Sequence, residues 1–413
     1  MFKRNREPNP HLTYEVSEKN KKLRMFLIIV LLAIGVVAIT VGIVSLLNTD
    51  PGWQAVDAVT EERNCSANFI FQYHFSESGA AATEMNKKAT AAYEEISVKA
   101  YWLFTPDEAS DNYNNIYYIN HHVNEPIIVD PVLYQAFQKL ETADSRYIYL
   151  GPAYAQYNSL FFNPDDTQVH AMDPNVNTEI REYLAQIAAF AKNPEHIELK
   201  LLGNNTVKLV VSEEYLAFAR ENEIDCFLDF HYMANAFIID YFADELIAQG
   251  FTHGYISSVD GYTRNLWGGG DSFSMNLFDL EGTTIYPAGT FSYQGPMSIV
   301  SLRSFPLAAS DVYYREGANK TILHPYLSLE TGMPLASTSN LLGLSHSASC
   351  ADILLQLQKV FISDTFDEMQ LHNLPFDAIW CKDGAIRYTL SEITFSKLFH
   401  GDSLTYTAIY VDS

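Results

Sequence analysis

The sequence predicts an α+β domain carried behind a single N-terminal transmembrane helix. Three observations predict it. Met25–Leu47 is a 23-residue apolar run without a charge, long enough to span a bilayer. Beyond it, stretches with helical periodicity are interleaved irregularly with short apolar runs bounded by turn residues. Aromatic residues are frequent, 26 Tyr and 25 Phe, so a chain of 413 residues can fill a sizeable core.

Charge orients the apolar run. Lys3, Arg4, Arg6, Lys19, Lys21, Lys22 and Arg24 precede it, against Glu7, Glu15 and Glu18, and Asp50, Asp57, Glu61 and Glu62 follow it. That asymmetry puts residues 1–24 in the cytoplasm as a basic tail, residues 25–47 in the cell membrane as a single span, and the rest outside. A cleaved signal peptide would have a shorter apolar core and a small-x-small exit, which V-S-L-L-N does not offer. Of the 26 Lys and Arg, seven precede the run, and of the 50 Asp and Glu, three do, so the remainder carries a formal charge of −28. Such a domain does not bind nucleic acid through its charge. Cys65, Cys226, Cys350 and Cys381 include no C-x-x-C pair, which excludes a zinc knuckle or a thioredoxin-type motif. Cys226 and Cys350 sit in apolar contexts and read as buried thiols, although four exterior cysteines could also form two bridges.

In chain order, residues 48–64 read as a polar linker and residues 65–413 as the exterior domain. Ala67–His74 reads as a strand, and Ala80–Tyr101, rich in strong helix formers, as a helix. Ile116–Asn120 and Pro126–Val129 bracket a turn, with His121 and His122 in the loop. Pro131–Thr142 is a helix with proline at its start, and Asn175–Lys192 is another. Ile197–Leu202 and Thr206–Val211 form a hairpin. Asp225–Gly250 is the organising stretch. It reads as a strand, Cys226–Phe230, feeding a helix with Ala236, Ile239, Ala243, Leu246 and Ile247 at helical spacing, then a strand, His253–Ser258. A strand-to-helix turn of this kind suits an anionic ligand.

Ser272–Phe278, Thr283–Pro287 and Ser298–Ser304 read as strands. Gly268-Gly269-Gly270 has no following helix and no lysine, so a hairpin turn is favoured over a phosphate cradle. Ser345–Phe361 is a helix with serines available as caps, and Asp352 lies in its first turns. Phe376–Cys381 and Ala385–Thr389 form a hairpin, and Tyr406–Val411 closes the chain as a strand.

The order of these landmarks resembles that of the ApbE family, the FAD:protein FMN transferases, over about Cys65 to Asp412. I-Y-Y-I-N-H-H-V-N-E-P-I-I-V from Ile116 looks like the family's S-e-l-s-r-l-N…e-P-v-x-V segment, and Gly151-Pro152 like its G-P-L. The organising stretch looks like its D-L-G-G-I-A-K-G-Y-A-V-D, with Asp229 and Asp240 at the ends. Leu307–Ser310 looks like its a-v-a-T-S-G. His324 with Thr331-Gly332-Met333-Pro334 looks like its H-x-x-D-P-x-T-G-x-P, and Cys350-Ala351-Asp352 like its x-A-D-A-x-x-T.

The resemblance implies an ApbE-like, T-fold-related exterior domain. It also implies transfer of FMN from FAD to a threonine of a target protein, with Mg²⁺ neutralising the phosphoryl charge. It assigns Asp352, Gln356 and the Tyr232 carbonyl to the metal, Asp229, Asn235 and His324 to the flavin, and Asp352 and His324 to catalysis. Several positions depart from the pattern. The twin glycines are His231 and Tyr232, the motif lysine is Asn235, the metal threonine is Gln356, the G-G-D is Val259-Asp260-Gly261, and the T-S-G is Ala309-Ser310-Asp311. These changes fall on one functional surface while the scaffold positions survive. The expectation is therefore a transferase of weak or lost activity. The alternative is a non-catalytic module that holds flavin or a partner in a membrane electron-transfer system.

Overall fold

The computed structural model describes residues 51–308, 311–402 and 404–412. The apolar run Met25–Leu47 lies outside the described residues, and none of the described helices is long and apolar enough to cross a membrane. Residues 52–75 and 86–413 make one compact unit, and Pro51 and residues 76–85 fall outside it. The helix Ala80–Phe104 begins in the latter segment. Within the compact unit its Ala89, Tyr93, Ile96, Ala100 and Leu103 are buried at three- and four-residue spacing.

A nine-stranded sheet runs through the unit. Its strands are Gly52–Ala55, Phe69–Phe75, Gly254–Ser258, Tyr262–Asn265, Met297–Arg303, Asn340–Ser345, Asp377–Lys382, Ala385–Tyr388 and Thr407–Tyr410, and they lie side by side in chain order. All neighbours are antiparallel except the last pair. Gly52–Ala55, within the stretch read as a linker, pairs with Phe69–Phe75 as the first strand. Phe69, Phe71, Tyr73 and Phe75 alternate inward, as the period of two requires. Asn340–Ser345 is buried at every residue, because the sheet is covered on both faces here. The helices Ala234–Ala248 and Cys350–Phe361 pack on one side. A three-stranded sheet of Ser272–Glu281, Thr284–Gln294 and Thr394–Ser396 contributes Leu277, Phe291 and Tyr293 to the core on the other, against Ile299, Leu342 and Ile379. Trp267–Gly270 links the two sheets and is not a hairpin, since the strands it joins do not pair with each other.

A second small sheet, Ile127–Ile128, Thr206–Val211 and Ile197–Gly203, carries the helices Pro131–Thr142, Gly151–Phe161 and Thr178–Lys192 between its strands, and Glu213–Glu221 follows its last strand. Asp130, Asn177 and Ser212 cap three of them through side-chain oxygens.

Three local expectations are corrected. Ile116–His121 is a helix capped by Asn115, and His121 and His122 stack on Tyr117 and Tyr118 at its end, at 3.9 and 3.8 Å. Cys226–Phe230 joins no sheet. The Asn120 side chain takes the place of a neighbouring strand there: its Oδ1 accepts from the Phe227 and Leu228 amides at 3.0 and 2.9 Å, and its Nδ2 donates to the Leu228 carbonyl at 2.8 Å. The helix expected from Ser345 begins at Cys350, capped by Ser349, because Asn340–Ser345 has already been taken into the sheet. The four cysteines are all free thiols.

Candidate functional site

A cavity of about 190 Å³ opens where the 3₁₀ turn His231–Met233 meets the strands Tyr262–Asn265 and Met297–Arg303. Tyr232, Tyr262, Tyr313, Tyr314 and Tyr326 supply aromatic walls, and His231, Asn235, Asp260, Arg303 and Asp311 supply polar groups. The volume is below the roughly 300–1,000 Å³ usual for drug-sized ligands, so it suits one ring system, with any nucleotide tail left outside it.

The walls are fixed by hydrogen bonds. The Tyr262 hydroxyl donates to the Tyr232 carbonyl at 2.8 Å, and the Tyr232 hydroxyl donates to Gln358 Oε1 at 2.7 Å. Asn235 Nδ2 donates to Asp260 Oδ2 at 2.9 Å. Arg303 pairs with Asp311 at 3.0 Å, and its carbonyl accepts from the Tyr314 hydroxyl at 2.8 Å. Asp311 also accepts from the amides of Leu307 and Ala308. Ala309 and Ser310, the first two residues of the expected T-S-G counterpart, lie outside the described residues.

His231 has a positive φ of 44°. Its ring stacks flat on Tyr154 at 4.3 Å and bonds Asn158 at 3.0 Å through Nε2. The backbone thus keeps a conformation that suits glycine while carrying an imidazole.

Three of the lining side chains each keep one buried polar atom without a hydrogen-bond partner: Asp260 Oδ1, Arg303 Nε and His231 Nδ1. His324 Nδ1 is a fourth, on a ring 5.7 Å from Tyr326. Buried polar atoms are nearly always paired in native proteins, so four in one neighbourhood single it out. Burial sets the charges. It pushes the Asp260 carboxyl up, opposed by the hydrogen bond from Asn235. It pushes His231 down to about 3 and His324 down to about 4, so both rings are neutral near pH 7. It raises the Tyr313 and Tyr326 phenols to about 12, so both remain protonated donors.

The expected flavin residues fall in and around this cavity. Asn235 lines it. His324 is buried in the same strand-to-loop segment as Tyr326. Asp229 is buried and accepts from the His231 amide at 2.7 Å, with its carboxyl pushed up to about 7 by burial.

The expected metal residues are divided. Asp352 and Gln356 line a separate open groove with Gln135, Gln138, Lys139 and Lys359, whereas Tyr232 lines the aromatic cavity and its carbonyl already accepts from Tyr262. Lys139 Nζ donates to both Asp352 oxygens and to Ser349 Oγ, each at 2.8 Å. Ser349 Oγ in turn donates to Asp352 Oδ2 at 2.7 Å. Burial alone would raise the Asp352 carboxyl, but the bonds from Lys139 and Ser349 outweigh it and hold the group below its ordinary range. These residues, as arranged, do not fit a magnesium ion. Among the described residues, no group of three or more His, Cys, Asp or Glu side chains is placed to hold a metal.

The sequence did not point to Lys139, Arg303, Tyr262, Tyr313, Tyr314 or Tyr326. Arg303 did carry a signal, as the one charge in the apolar strand M-S-I-V-S-L-R. Lys139 carried none, since its partner lies 213 residues away.

No protein-family model and no curated protein matches this sequence. Solved structures do. The ApbE protein of Thermotoga maritima matches with a TM-score of 0.52 at 13% identity, over 80% of this chain and 94% of that one. The flavin transferase ApbE of Vibrio cholerae matches with a TM-score of 0.51 at 13% identity, over 84% and 97% of the two chains. At that identity the likeness is one of architecture. The chain therefore has the ApbE fold, in a strongly diverged sequence.

Proposed function

We propose that this chain binds a flavin in the Asp260–Arg303 cavity, as a diverged relative of the ApbE flavin transferases. One observation carries the reading. Within an ApbE fold, one ring-sized cavity gathers aromatic walls and unpartnered polar atoms of both kinds, an acceptor on Asp260 and a donor on Arg303. A planar heterocycle with donors and acceptors on its edge matches that chemistry, with tyrosine rings against its faces.

Two outcomes of flavin binding are distinguished by their chemistry. In the first, FAD is the substrate and its FMN part passes to a threonine of an acceptor protein. In the second, a flavin or a flavinylated partner is held without turnover. The arrangement around Asp352 favours the second, because Lys139 takes up both carboxylate oxygens that a magnesium-assisted transfer would use. His231 and Tyr232 favour it as well, because their side chains occupy the approach that the family's glycines leave to backbone and phosphate.

Residues 25–47 anchor the chain in the cell membrane in this reading, with the tail 1–24 in the cytoplasm and the domain outside. The run's length and the basic residues ahead of it support that placement. Resistance of the membrane-bound chain to carbonate washing, with removal of the domain by protease added outside, is the expected behaviour.

The test of function is titration of the full-length protein with FAD, with and without Mg²⁺, following flavin fluorescence and release of AMP. Binding that does not need Mg²⁺, without AMP, is expected. Mg²⁺-dependent AMP release would establish the transferase in place of the holding module. Absence of binding would remove the flavin reading.

A further inference from the structure

The groove at the start of Cys350–Phe361 contains a complete cation site whose cation belongs to the protein. An ammonium has three N–H donors and no acceptor. All three donors of Lys139 find oxygens at 2.8 Å: Asp352 Oδ1, Asp352 Oδ2 and Ser349 Oγ. Ser349 Oγ also accepts from the Asp352 amide at 3.2 Å as the helix cap, so the three oxygens are held together by the helix terminus itself. The Lys139 and Asp352 side chains are 35% and 44% exposed, so water reaches the pair.

These oxygens are the hard ligands that divalent ions prefer. A magnesium ion would sit about 2.0–2.1 Å from them and would have to displace the ammonium to do so. Any ion bound beside the ammonium would face its full charge at close range. The remaining groove side chains, Gln135, Gln138 and Gln356, add no negative charge, and Lys359 adds a further positive one. Its Nζ is engaged by the Ala143 carbonyl.

We infer that Lys139 is a tethered cation: its ammonium fills the place between Asp352 and Ser349 in which a divalent ion would be held, and the chain binds no divalent ion there. The inference concerns a different cavity from the one proposed for flavin and holds whether or not that cavity takes a ligand.

The experiment is Mn²⁺ titration of the full-length protein, with the free ion read by electron paramagnetic resonance. Wild type and Asp352→Asn are expected to deplete free Mn²⁺ equally. Lys139→Met is expected to gain a single site, and Asp352→Asn in that background to lose it again. A wild-type site that disappears in Asp352→Asn would overturn the inference, and so would the absence of a gained site in Lys139→Met. Lys139→Gln, one atom shorter and uncharged, replaces Lys139→Met should the latter not fold. A second measurement reads the ammonium of the wild type directly. The ¹⁵N signal of the Lys139 ammonium, assigned by its loss in Lys139→Arg, should stay in place when Mg²⁺ is added to millimolar levels, and its displacement by Mg²⁺ would refute the assignment.

Discussion

Asp240 and Arg264 meet at 2.7 Å between the helix Ala234–Ala248 and the large sheet, with their side chains 10% and 17% exposed. The same carboxylate accepts from the amides of Cys350 and Ala351, at 2.9 and 2.8 Å, through its two oxygens. One side chain therefore ties a helix, a strand and the N-terminus of a second helix, where free amides and the helix dipole favour a negative charge. Asp240→Ala leaves Arg264 buried without its partner and removes the acceptor from two amides. Removal of one member of a buried pair costs about 3–5 kcal/mol. The expected result is a loss of that size in urea denaturation followed by tryptophan fluorescence. Asp240→Asn, which keeps an acceptor, should lose less. A loss under 1 kcal/mol, roughly the worth of a surface pair, would contradict the capping role.

Asp229 gives a pH-dependent prediction. Its carboxyl is pushed up to about 7 by burial, with a small contribution from Asp107 and against the hydrogen bond from the His231 amide. The folded state thus binds its proton more tightly than the unfolded chain. The stability this group contributes is present below about pH 4, the unfolded value, and is lost as pH rises through about 7. His231 and His324 have the opposite sign. Burial lowers them to about 3 and about 4, so their contribution is present above about 6.5 and is lost as pH falls toward those values. Asp229→Asn keeps an oxygen for the His231 amide and cannot ionise. Relative to wild type it should be more stable at pH 8 by something on the order of 2–4 kcal/mol, and the difference should vanish near pH 4. Equal effects at both pH values would mean that ionisation of Asp229 is not what the substitution removes.

What could be read in the chain follows the range of the interactions. Periodicity and turn residues mark the helices and most strands, since both arise from neighbours a few residues apart. Gly151 and Asp240 are marked only by the family resemblance, and the structure gives the reasons: a Cβ on Gly151 would stand 2.7 Å from the Cys226 carbonyl oxygen, and Asp240 caps a helix 110 residues away. Cys226–Phe230 misled because its composition is that of a strand, while its backbone bonds go to Asn120, 107 residues before Phe227. The metal residues show the limit most plainly. Asp352 and Gln356 do share one helix face, as their spacing requires, but Lys139 reaches Asp352 from the helix Pro131–Thr142. No local pattern announces that approach.

Tyr232 and Gln358 form the link between the cavity wall and the helix Cys350–Phe361. Tyr232 is 4% exposed and Gln358 is fully buried, and Gln358 Nε2 continues the chain to Ser145 Oγ at 3.2 Å. Tyr232→Phe keeps the ring and leaves the Gln358 oxygen without a donor. The expected loss is about 1–3 kcal/mol in chemical denaturation, the cost of an unsatisfied buried acceptor. Gln358→Leu leaves the Tyr232 hydroxyl unpaired in turn. Both changes together should cost less than the sum of the single losses, with a coupling on the order of 1–2 kcal/mol in a double-mutant cycle. Strict additivity would show that the two groups do not depend on each other.

His231 is where the fold and the cavity make opposing demands, and His231→Gly separates them. A side chain at φ 44° carries a conformational cost that glycine does not, worth about 1–2 kcal/mol. Against that, the change removes the flat stack on Tyr154, worth about 0.5–1.5 kcal/mol. It also removes the bond to Asn158, worth about 0.5–1.5 kcal/mol. Those contributions oppose one another, so stability should change by no more than about 2 kcal/mol in urea denaturation. The cavity, in contrast, gains the volume of an imidazole and loses one unpartnered ring nitrogen. Flavin affinity, measured by fluorescence titration, should therefore rise if the imidazole limits the space available to the ring. A fall in affinity at unchanged stability would make His231 a direct contact of the flavin, with Nδ1 as its hydrogen-bonding atom, and the positive φ would then be maintained in order to present that nitrogen to the ligand.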